Sequence, residues 1–184
     1  ANQKAYAILN DYGVVYTVGH SSYGGYSEHV SSLLVDVSDV FMNLGSMAAL
    51  KRNGTVVVWT GEHVTEEYGQ TASKWNTLTN VKHIYENRNG YSYLAEKTDG
   101  TLVPIGNDSY GGLAKDVSNN YDVTSLLANA NPISVASNDK AWAIIKSNNS
   151  IVCWGDADHA GNYQEISSSL PTNARTVHAT KKAF

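Results

Sequence analysis

Short alternations of apolar and polar residues recur along this chain, and each occurrence has the same form. In the last one, residues 142–146 are mostly apolar, residues 147–150 are Ser and Asn, and residues 151–154 are apolar again. Runs of this length that are rich in β-branched and aromatic residues favour strands, and Asn tolerates the left-handed backbone of a tight turn. The pattern therefore predicts a β-hairpin that Gly155 ends.

The hairpin pattern occurs four times, in residues 5–25, 46–70, 92–112 and 141–161. The residues in the turns are Gly13, Gly54, Gly100 and Asn149, which are 41, 46 and 49 positions apart. A large apolar residue stands seven positions before each of them (Tyr6, Met47, Tyr93, Trp142) and another five positions after it (Val18, Trp59, Ile105, Trp154). Self-similarity at such a period is the signature of a repeat protein.

A further apolar segment precedes each later hairpin and predicts a third strand. These segments are residues 37–44, 81–85 and 133–136, and residues 176–179 form a fourth one near the end of the chain. The segments that follow the hairpins, such as residues 28–34 and 165–170, fit either a weak fourth strand or a helical turn. Pro104 inside a predicted strand indicates an edge position or a bulge, because proline cannot donate to a strand ladder.

Three or four strands per repeat predict an all-β, propeller-like fold with one blade per repeat. The chain then forms a single repeat domain, residues 1–184, with repeats at approximately 1–36, 37–80, 81–131 and 132–184. One small sheet cannot bury both of its faces, whereas sheets stacked around an axis bury both. The large apolar residues at the two fixed positions, Trp59 and Trp154 among them, are expected to fill the gaps between blades.

The two ends of the chain are in phase with one another. Residues 183–184 fall where Ala5 and Tyr6 fall in the first repeat, and the first hairpin has no strand segment before it. We expect residues 176–179 to pair beside the first strand, because an unpaired edge is an aggregation liability. Within one chain this pairing closes a four-bladed ring, and between chains it produces head-to-tail self-association.

The repeat resembles that of the regulator of chromosome condensation family. The resemblance is carried by Ala48-Ala49-Leu50, Gly54, Val56 and Trp59, by Ile144-Ile145, Ile151 and Trp154-Gly155, and by the loop motifs Gly111-Gly112-Leu113 and Tyr68-Gly69-Gln70. It implies a β-propeller, and propellers of that family typically have more than four blades. The four repeats can therefore form a small ring, an arc of a larger ring, or an open array completed by neighbouring chains.

Composition narrows the classes of partner. The chain has a formal net charge of −4, which argues against nucleic acid because phosphate binding needs clustered Lys and Arg. No apolar run approaches the length of a membrane span. Cys153 is the single cysteine and cannot form an internal disulfide.

The residue patterns of common catalytic and metal sites are missing. The six His residues do not stand at zinc-site spacing, and Asp156, Asp158 and His159 lack the full pattern of a calcium loop. No Gly-x-Ser-x-Gly motif or phosphate loop occurs, and Cys153 lies within a predicted strand. The sequence therefore predicts no metal, no cofactor and no catalytic residue.

Four loop aromatics are the candidate binding residues. Tyr23, Tyr110 and His159 occupy the same position of the repeat, and Tyr68 lies near it in the second repeat. On the rim of a propeller such amphipathic rings suit the binding of a protein or a glycan. The alternative is that each ring only covers the next blade.

Three Asn-x-Ser/Thr sequons lie in predicted turns or loops, at Asn53, Asn107 and Asn148, and permit glycosylation in a secreted protein.

Together, the repeats and the missing catalytic patterns predict a non-catalytic binding or structural module, with an extracellular or cell-surface location slightly favoured. The alternatives are an intracellular scaffold or exchange factor, and an enzyme acting on polysaccharide from a propeller scaffold.

Overall fold

The computed structural model describes residues 1–60, 77–117 and 120–184. Strands dominate these residues: β1 (Ala5–Leu9), β2 (Val15–Gly19), β3 (Val37–Met42), β4 (Met47–Lys51), β5 (Val56–Trp59), β6 (Val81–Glu86), β7 (Ser92–Lys97), β8 (Leu102–Gly106), β9 (Lys115–Asp116), β10 (Tyr121–Asp122), β11 (Pro132–Ser137), β12 (Ala141–Lys146) and β13 (Ile151–Gly155). The α-helices among the described residues are single turns, α1 (Thr124–Leu127) and α2 (Tyr163–Ile166). The predicted all-β class is confirmed.

The strands of the described residues form four small sheets, one around each hairpin, and their strand pairs are antiparallel except for the parallel pair of β9 and β13. β1 pairs with β2, and the next two sheets have the orders β3-β4-β5 and β6-β7-β8. The fourth sheet has the order β11-β12-β13, and the short strands β9 and β10 extend it beyond β13. All four predicted hairpins are present, and the third strand is confirmed as β3, β6 and β11. Pro104 lies in the edge strand β8, as its missing N–H predicts.

The repeats share fine detail as well as strand order. The turn residues Gly13, Gly54, Gly100 and Asn149 all have a positive φ, between 64° and 80°, which explains why Gly or Asn occupies this position. The pairing of the third strand with the hairpin shifts register at the same point each time, after Val37, Val81 and Pro132. The sequence period is therefore a structural period.

Each hairpin packs one face against the preceding blade. Met47 and Trp59 share a core cluster with Ala5 and Val15 of the first blade. In the same way, Tyr93 and Ile105 pack on the second blade, and Trp142 and Trp154 pack on the third. Trp59 and Trp154 are fully buried, which confirms their predicted place between blades.

The first repeat departs from this rule. Tyr6 and Val18 occupy the equivalent positions but are 61% and 59% exposed. The prediction that every residue of this class fills a gap between blades is therefore wrong for the first repeat. Tyr6 and Val18 are exposed because no blade of the described residues lies on that side of β1 and β2.

The segments that follow the first and last hairpins are helical turns rather than fourth strands, whereas the short strands β9 and β10 follow the third hairpin. Residues Glu28–Leu33 form a 3-10 helix in the first repeat, and α2 with the 3-10 turn Ser167–Ser169 follows the last hairpin. Leu34 ends the first of these segments fully buried, and its carbonyl accepts a hydrogen bond from Val15 N at 3.1 Å. These segments therefore close the side of the blade core.

The predicted clasp between the ends of the chain does not form. Residues 176–179 belong to no strand, and β1 has β2 as its only strand partner among the described residues. Val177 N instead donates to Ser134 Oγ in β11 at 3.1 Å. The end of the chain therefore lies beside the fourth blade rather than the first, so the expected closure by strand pairing is corrected.

Cys153 should be a protected thiol in the folded protein. It is buried in β13, and burial, followed by the charge of Asp116, raises its pKa to about 12. The reactive thiolate is therefore scarce at pH 8. We expect Ellman's reagent to label the folded protein slowly and to titrate one thiol once guanidinium has unfolded it. Rapid labelling under native conditions would contradict this burial.

Candidate functional site

Three of the predicted rim residues lie at equivalent places in the structure. Tyr23, Tyr110 and His159 each end a 3-10 turn that follows the second hairpin strand. A residue in the left-handed conformation follows each of them: Gly24, Gly111 and Ala160. Tyr68 lies outside the described residues. The repeat therefore positions these rings alike, and their role in binding stays a prediction.

The rings contact groups of their own chain. Tyr23 is half-buried, with Lys4 Nζ 4.6 Å from its ring centre, and Lys140 Nζ lies 5.6 Å from the centre of the half-buried Tyr110 ring. His159 is buried, and its Nδ1 lies 2.7 Å from Asp156 Oδ1. These contacts fix the ring orientations and leave Tyr23 and Tyr110 partly accessible.

A set of Asn residues, which the sequence analysis missed, organises the open ends of the hairpins, which are the same ends that carry the rim rings. Asn2, Asn43, Asn87 and Asn138 stand in the turn before the first hairpin strand of each repeat. In Asn138, Oδ1 accepts hydrogen bonds from the N–H groups of Lys140 and Ala141 at 3.1 and 2.8 Å. Oδ1 of Asn2 and of Asn43 accepts the equivalent pairs.

Hydrogen bonds also link these turns between blades. Leu44 N donates to Gly90 O at 3.2 Å, and Asn87 Nδ2 donates to Asn138 O at 2.7 Å. Asp139 N lies 3.5 Å from Lys181 O near the end of the chain. The turns therefore form a continuous polar ladder from the second blade to the C-terminal segment. A signal was present in the sequence, since Asn stands four residues before Tyr6, Met47 and Trp142.

The ladder borders a polar cavity of about 530 Å³. Gln3 of the first turn lines it together with Asn89, Asn138 and Asp139 of later turns, and Lys181 reaches it from the C-terminal segment. Lys181 Nζ lies 3.9 Å from Asp139 Oδ2, near the limit of an ion pair. The turns of several repeats therefore converge at one place, although the end strands do not pair.

A second candidate site is a groove of about 500 Å³ along the third strands of the repeats. Phe41 of β3 and His83 and Tyr85 of β6 line one side, and residues 135–137 of β11 line the other. Glu86 and Arg88 lie at the end of the groove nearest the turns. Phe41 and Tyr85 hold the same position in their strands, so the repeat itself brings two aromatic rings to the groove, where Phe41 is buried and Tyr85 is half-buried.

The aromatic rings of the groove contact one another. The His83 ring meets Phe41 edge-on at a centroid distance of 5.7 Å and meets Tyr85 in the same manner at 4.5 Å. Edge-to-face contacts of this kind hold rings in defined orientations. His83 is exposed at the centre of this cluster, so the cluster presents a rigid, partly polar surface to solvent.

Charged side chains surround the aromatic cluster. Tyr85 donates its hydroxyl to Glu96 Oε2 at 2.9 Å, and Glu96 Oε1 lies 2.8 Å from Lys82 Nζ. Burial, followed by the hydrogen bond to Glu96 and its charge, raises the pKa of Tyr85 well above its ordinary value, so its phenol remains a donor at neutral pH.

Glu86 connects two blades at the end of the groove. Its carboxylate accepts a hydrogen bond from Met42 N of β3 at 3.0 Å and pairs with the exposed guanidinium of Arg88. Within residues 1–60, 77–117 and 120–184, no group of three or more His, Cys, Asp or Glu is placed to hold a metal ion. The groove offers aromatic faces, donors and one paired cation, which suits recognition of another molecule's surface.

No helix in the described part of the chain is both long and apolar enough to cross a membrane.

Stacked three-stranded antiparallel blades with one face of each packed on its predecessor define a β-propeller. Solved structures show that the fold is of the RCC1-like kind. Yeast RCC1 (Prp20), crystallised bound to Kap60, is 19% identical with a TM-score of 0.54, and the match covers 83% of this chain and 40% of that one. Human WBSCR16 is 16% identical with a TM-score of 0.52, and coverage is 84% of this chain and 45% of that one.

The entire ectodomain of the Physcomitrella patens receptor kinase CR4 has the same fold, with 15% identity and a TM-score of 0.51. The match covers 84% of this chain and 39% of the ectodomain. This chain therefore spans less than half the length of the propellers it resembles. No protein-family model and no curated protein sequence matches it. The resemblance seen in the repeat motifs is confirmed at the level of fold.

Proposed function

We propose that this chain is a non-catalytic protein-binding module and that the groove lined by Phe41, His83, Tyr85, Glu86 and Arg88 is its contact surface. The observation that supports this proposal is that the groove combines oriented aromatic rings with an exposed His and Arg. Aromatic residues and Arg are enriched in protein interfaces, where they supply most of the binding energy.

The similar structures suggest which proteins to test. Prp20 was crystallised with Kap60, and its reported binding properties concern Gsp1p and histones. These three proteins are therefore the first partners to test. A glycan partner and an extracellular or cell-surface location stay predictions. Glycosylation of the sequons also stays a prediction, and the exposure of Asn53 and Asn148 supports it.

Surface plasmon resonance with the immobilised chain tests the proposal against Kap60, Gsp1p and core histones. We expect saturable binding of at least one of them, weakened by about tenfold or more in the double variant His83→Ala/Arg88→Ala, because truncating interface anchors costs over about 1 kcal/mol each. The matched control is His29→Ala/Lys97→Ala, which removes a His and a cation that do not line the groove.

Two outcomes would refute the groove as contact surface. One is the absence of saturable binding to all three proteins. The other is binding that survives in the groove variant but falls in Tyr110→Ala, which would assign contact to the rim aromatics instead. Circular dichroism of each variant confirms that the blades remain folded.

A further inference from the structure

The third repeat has a buried carboxylate where the other repeats have an apolar side chain. Glu96 stands four positions before the turn residue of its hairpin, and its counterparts are Leu9, Leu50 and Ile145. In the middle strand β7, Glu96 is 6% exposed, which is the same exposure as that of Leu50 in β4. Burying a charge costs free energy unless the charge is paired, and the apolar counterparts show that the repeat does not require one here.

Both oxygens of the Glu96 carboxylate have a partner. Oε1 lies 2.8 Å from Lys82 Nζ, and Oε2 accepts a hydrogen bond from the Tyr85 hydroxyl at 2.9 Å. Lys82 stands at the register shift between Val81 and His83 of β6. The carboxylate therefore ties two side chains of β6 to β7, in addition to the backbone ladder between these strands.

The ion pair with Lys82 occurs only in the third of the three-stranded blades that the described residues form. The register shift recurs in the second and fourth blades, where the two positions are held by Ser38 and Leu50, and by Ile133 and Ile145. The fourth blade thus has an apolar pair at these positions and keeps the same strand register. The ion pair is therefore not required for the fold of a blade.

Glu96 acts on the groove through Tyr85. The Tyr85 hydroxyl is held by Glu96, and the Tyr85 ring meets the exposed His83 ring edge-on at a centroid distance of 4.5 Å. A ring that is fixed at its tip as well as at its backbone keeps one orientation, and the edge-on contact orients the neighbouring ring in turn. Tyr85 and His83 both line the groove, whereas Glu96 and Lys82 lie behind its lining residues.

We infer that Glu96 is a positioning residue of the groove. It holds Tyr85, and through Tyr85 the His83 ring, in the orientation that the groove presents to a partner. The inference rests on the proposed function, in which the groove is the contact surface. Apolar residues of similar volume often stabilise a protein as well as a buried ion pair does, so the pair contributes order in the groove rather than stability of the blade.

Replacing the pair by the residues of the fourth blade separates these two roles. In the double variant Lys82→Ile/Glu96→Ile we expect an unchanged or higher midpoint of chemical denaturation, because isoleucine occupies both positions in the fourth blade. We expect the NMR signals of the His83 ring protons to shift toward those of the exposed His178, because the ring loses its fixed neighbour. Tyr85→Phe, which keeps the ring and removes only the hydroxyl, should shift the His83 signals in the same direction.

Two further variants provide the controls. Glu96→Gln can still form a hydrogen bond with the Tyr85 hydroxyl, so it should retain the His83 signals of the unmodified protein. Arg52→Ala removes an exposed ion pair with Asp36, in which the two side chains lie 3.1 Å apart outside the groove. This variant should also leave the His83 signals unchanged.

Affinity provides a second readout with whichever of Kap60, Gsp1p and core histones binds. We expect the double variant to bind about fivefold or more weakly, because interface anchors lose their contacts when they are misplaced. Glu96→Gln and Arg52→Ala should bind as the unmodified protein does. This pattern is not expected from a residue that only stabilises its blade.

Unchanged His83 signals in the double variant or in Tyr85→Phe would overturn the inference. A lower denaturation midpoint of the double variant would also overturn it, because the pair would then be a structural element of the blade. Unchanged affinity of the double variant would have the same consequence. If none of the three proteins binds, the proposed function is refuted, and the His83 signals still decide whether Glu96 positions the rings.

Discussion

Replacing Trp154 with alanine is expected to lower the free energy of unfolding by about 3–5 kcal/mol. The indole is fully buried between the third and fourth blades, stacks on Trp142 at a centroid distance of 6.4 Å, and donates to Gly111 O at 3.0 Å. The change leaves a cavity and removes the donor that satisfies a carbonyl of the neighbouring blade. Chemical denaturation followed by tryptophan fluorescence and circular dichroism measures the loss.

The chain contains a matched control for this effect. Val18 holds the position of Trp154 in the first hairpin but is 59% exposed, so Val18→Ala should change stability by less than about 0.5 kcal/mol in the monomer. The two substitutions truncate the side chain at the same position of the repeat, once where it is buried and once where it is exposed. Equal losses, or a small loss for Trp154→Ala, would mean that the interface between blades is not where stability resides.

The variant Asn138→Ala is expected to cost about 2–4 kcal/mol, because it leaves several buried backbone groups without partners. The Asn138 side chain accepts from the N–H groups of Lys140 and Ala141 and donates to His159 O at 2.7 Å. Asn138 itself is buried, with 4% of its surface exposed. The same denaturation experiment measures the change.

Asn148 is the corresponding control for the Asn turn. Its Oδ1 also accepts a backbone hydrogen bond, from Ser150 N at 3.1 Å, but the residue is exposed in the hairpin turn. Water can replace this bond, so Asn148→Ala should cost less than about 1 kcal/mol. A loss for Asn138→Ala no greater than that would show that the polar ladder contributes little to stability.

The repeat could be predicted from the sequence because its determinants are local. A turn that requires a positive φ selects Gly or Asn, and a side chain between two sheets must be large and apolar. The pairs Gly54 and Trp59, and Asn149 and Trp154, are therefore sufficient to predict their hairpins from the sequence. Lys4 and Lys140, which lie over the rim rings, could not be recognised as their partners because these contacts depend on tertiary placement.

The Asn ladder and the groove depended on information that periodicity does not contain. Asn is common in turns whether or not its side chain is buried, so Asn43 and Asn138 did not stand out. The groove requires β3, β6 and β11 to lie side by side, and only the packing of whole blades brings Phe41 near His83. The clasp failed for a related reason. Strand propensity and the repeat period predicted that residues 176–179 form a strand beside β1. Which sheet these residues actually reach depends on the angle between successive blades.

The uneven coverage of the blades has a consequence for cooperativity. In a stacked repeat array each unit gains stability from its own contacts and from its nearest neighbours, so opening propagates from the unit with fewest neighbours. Among the described residues, the sheet of β1 and β2 has two strands and one flanking blade, whereas the second and third blades are covered on both sides. Local unfolding should therefore begin at the first hairpin. The Trp-rich interface between the third and fourth blades should be the last part of the structure to lose its protection from hydrogen exchange.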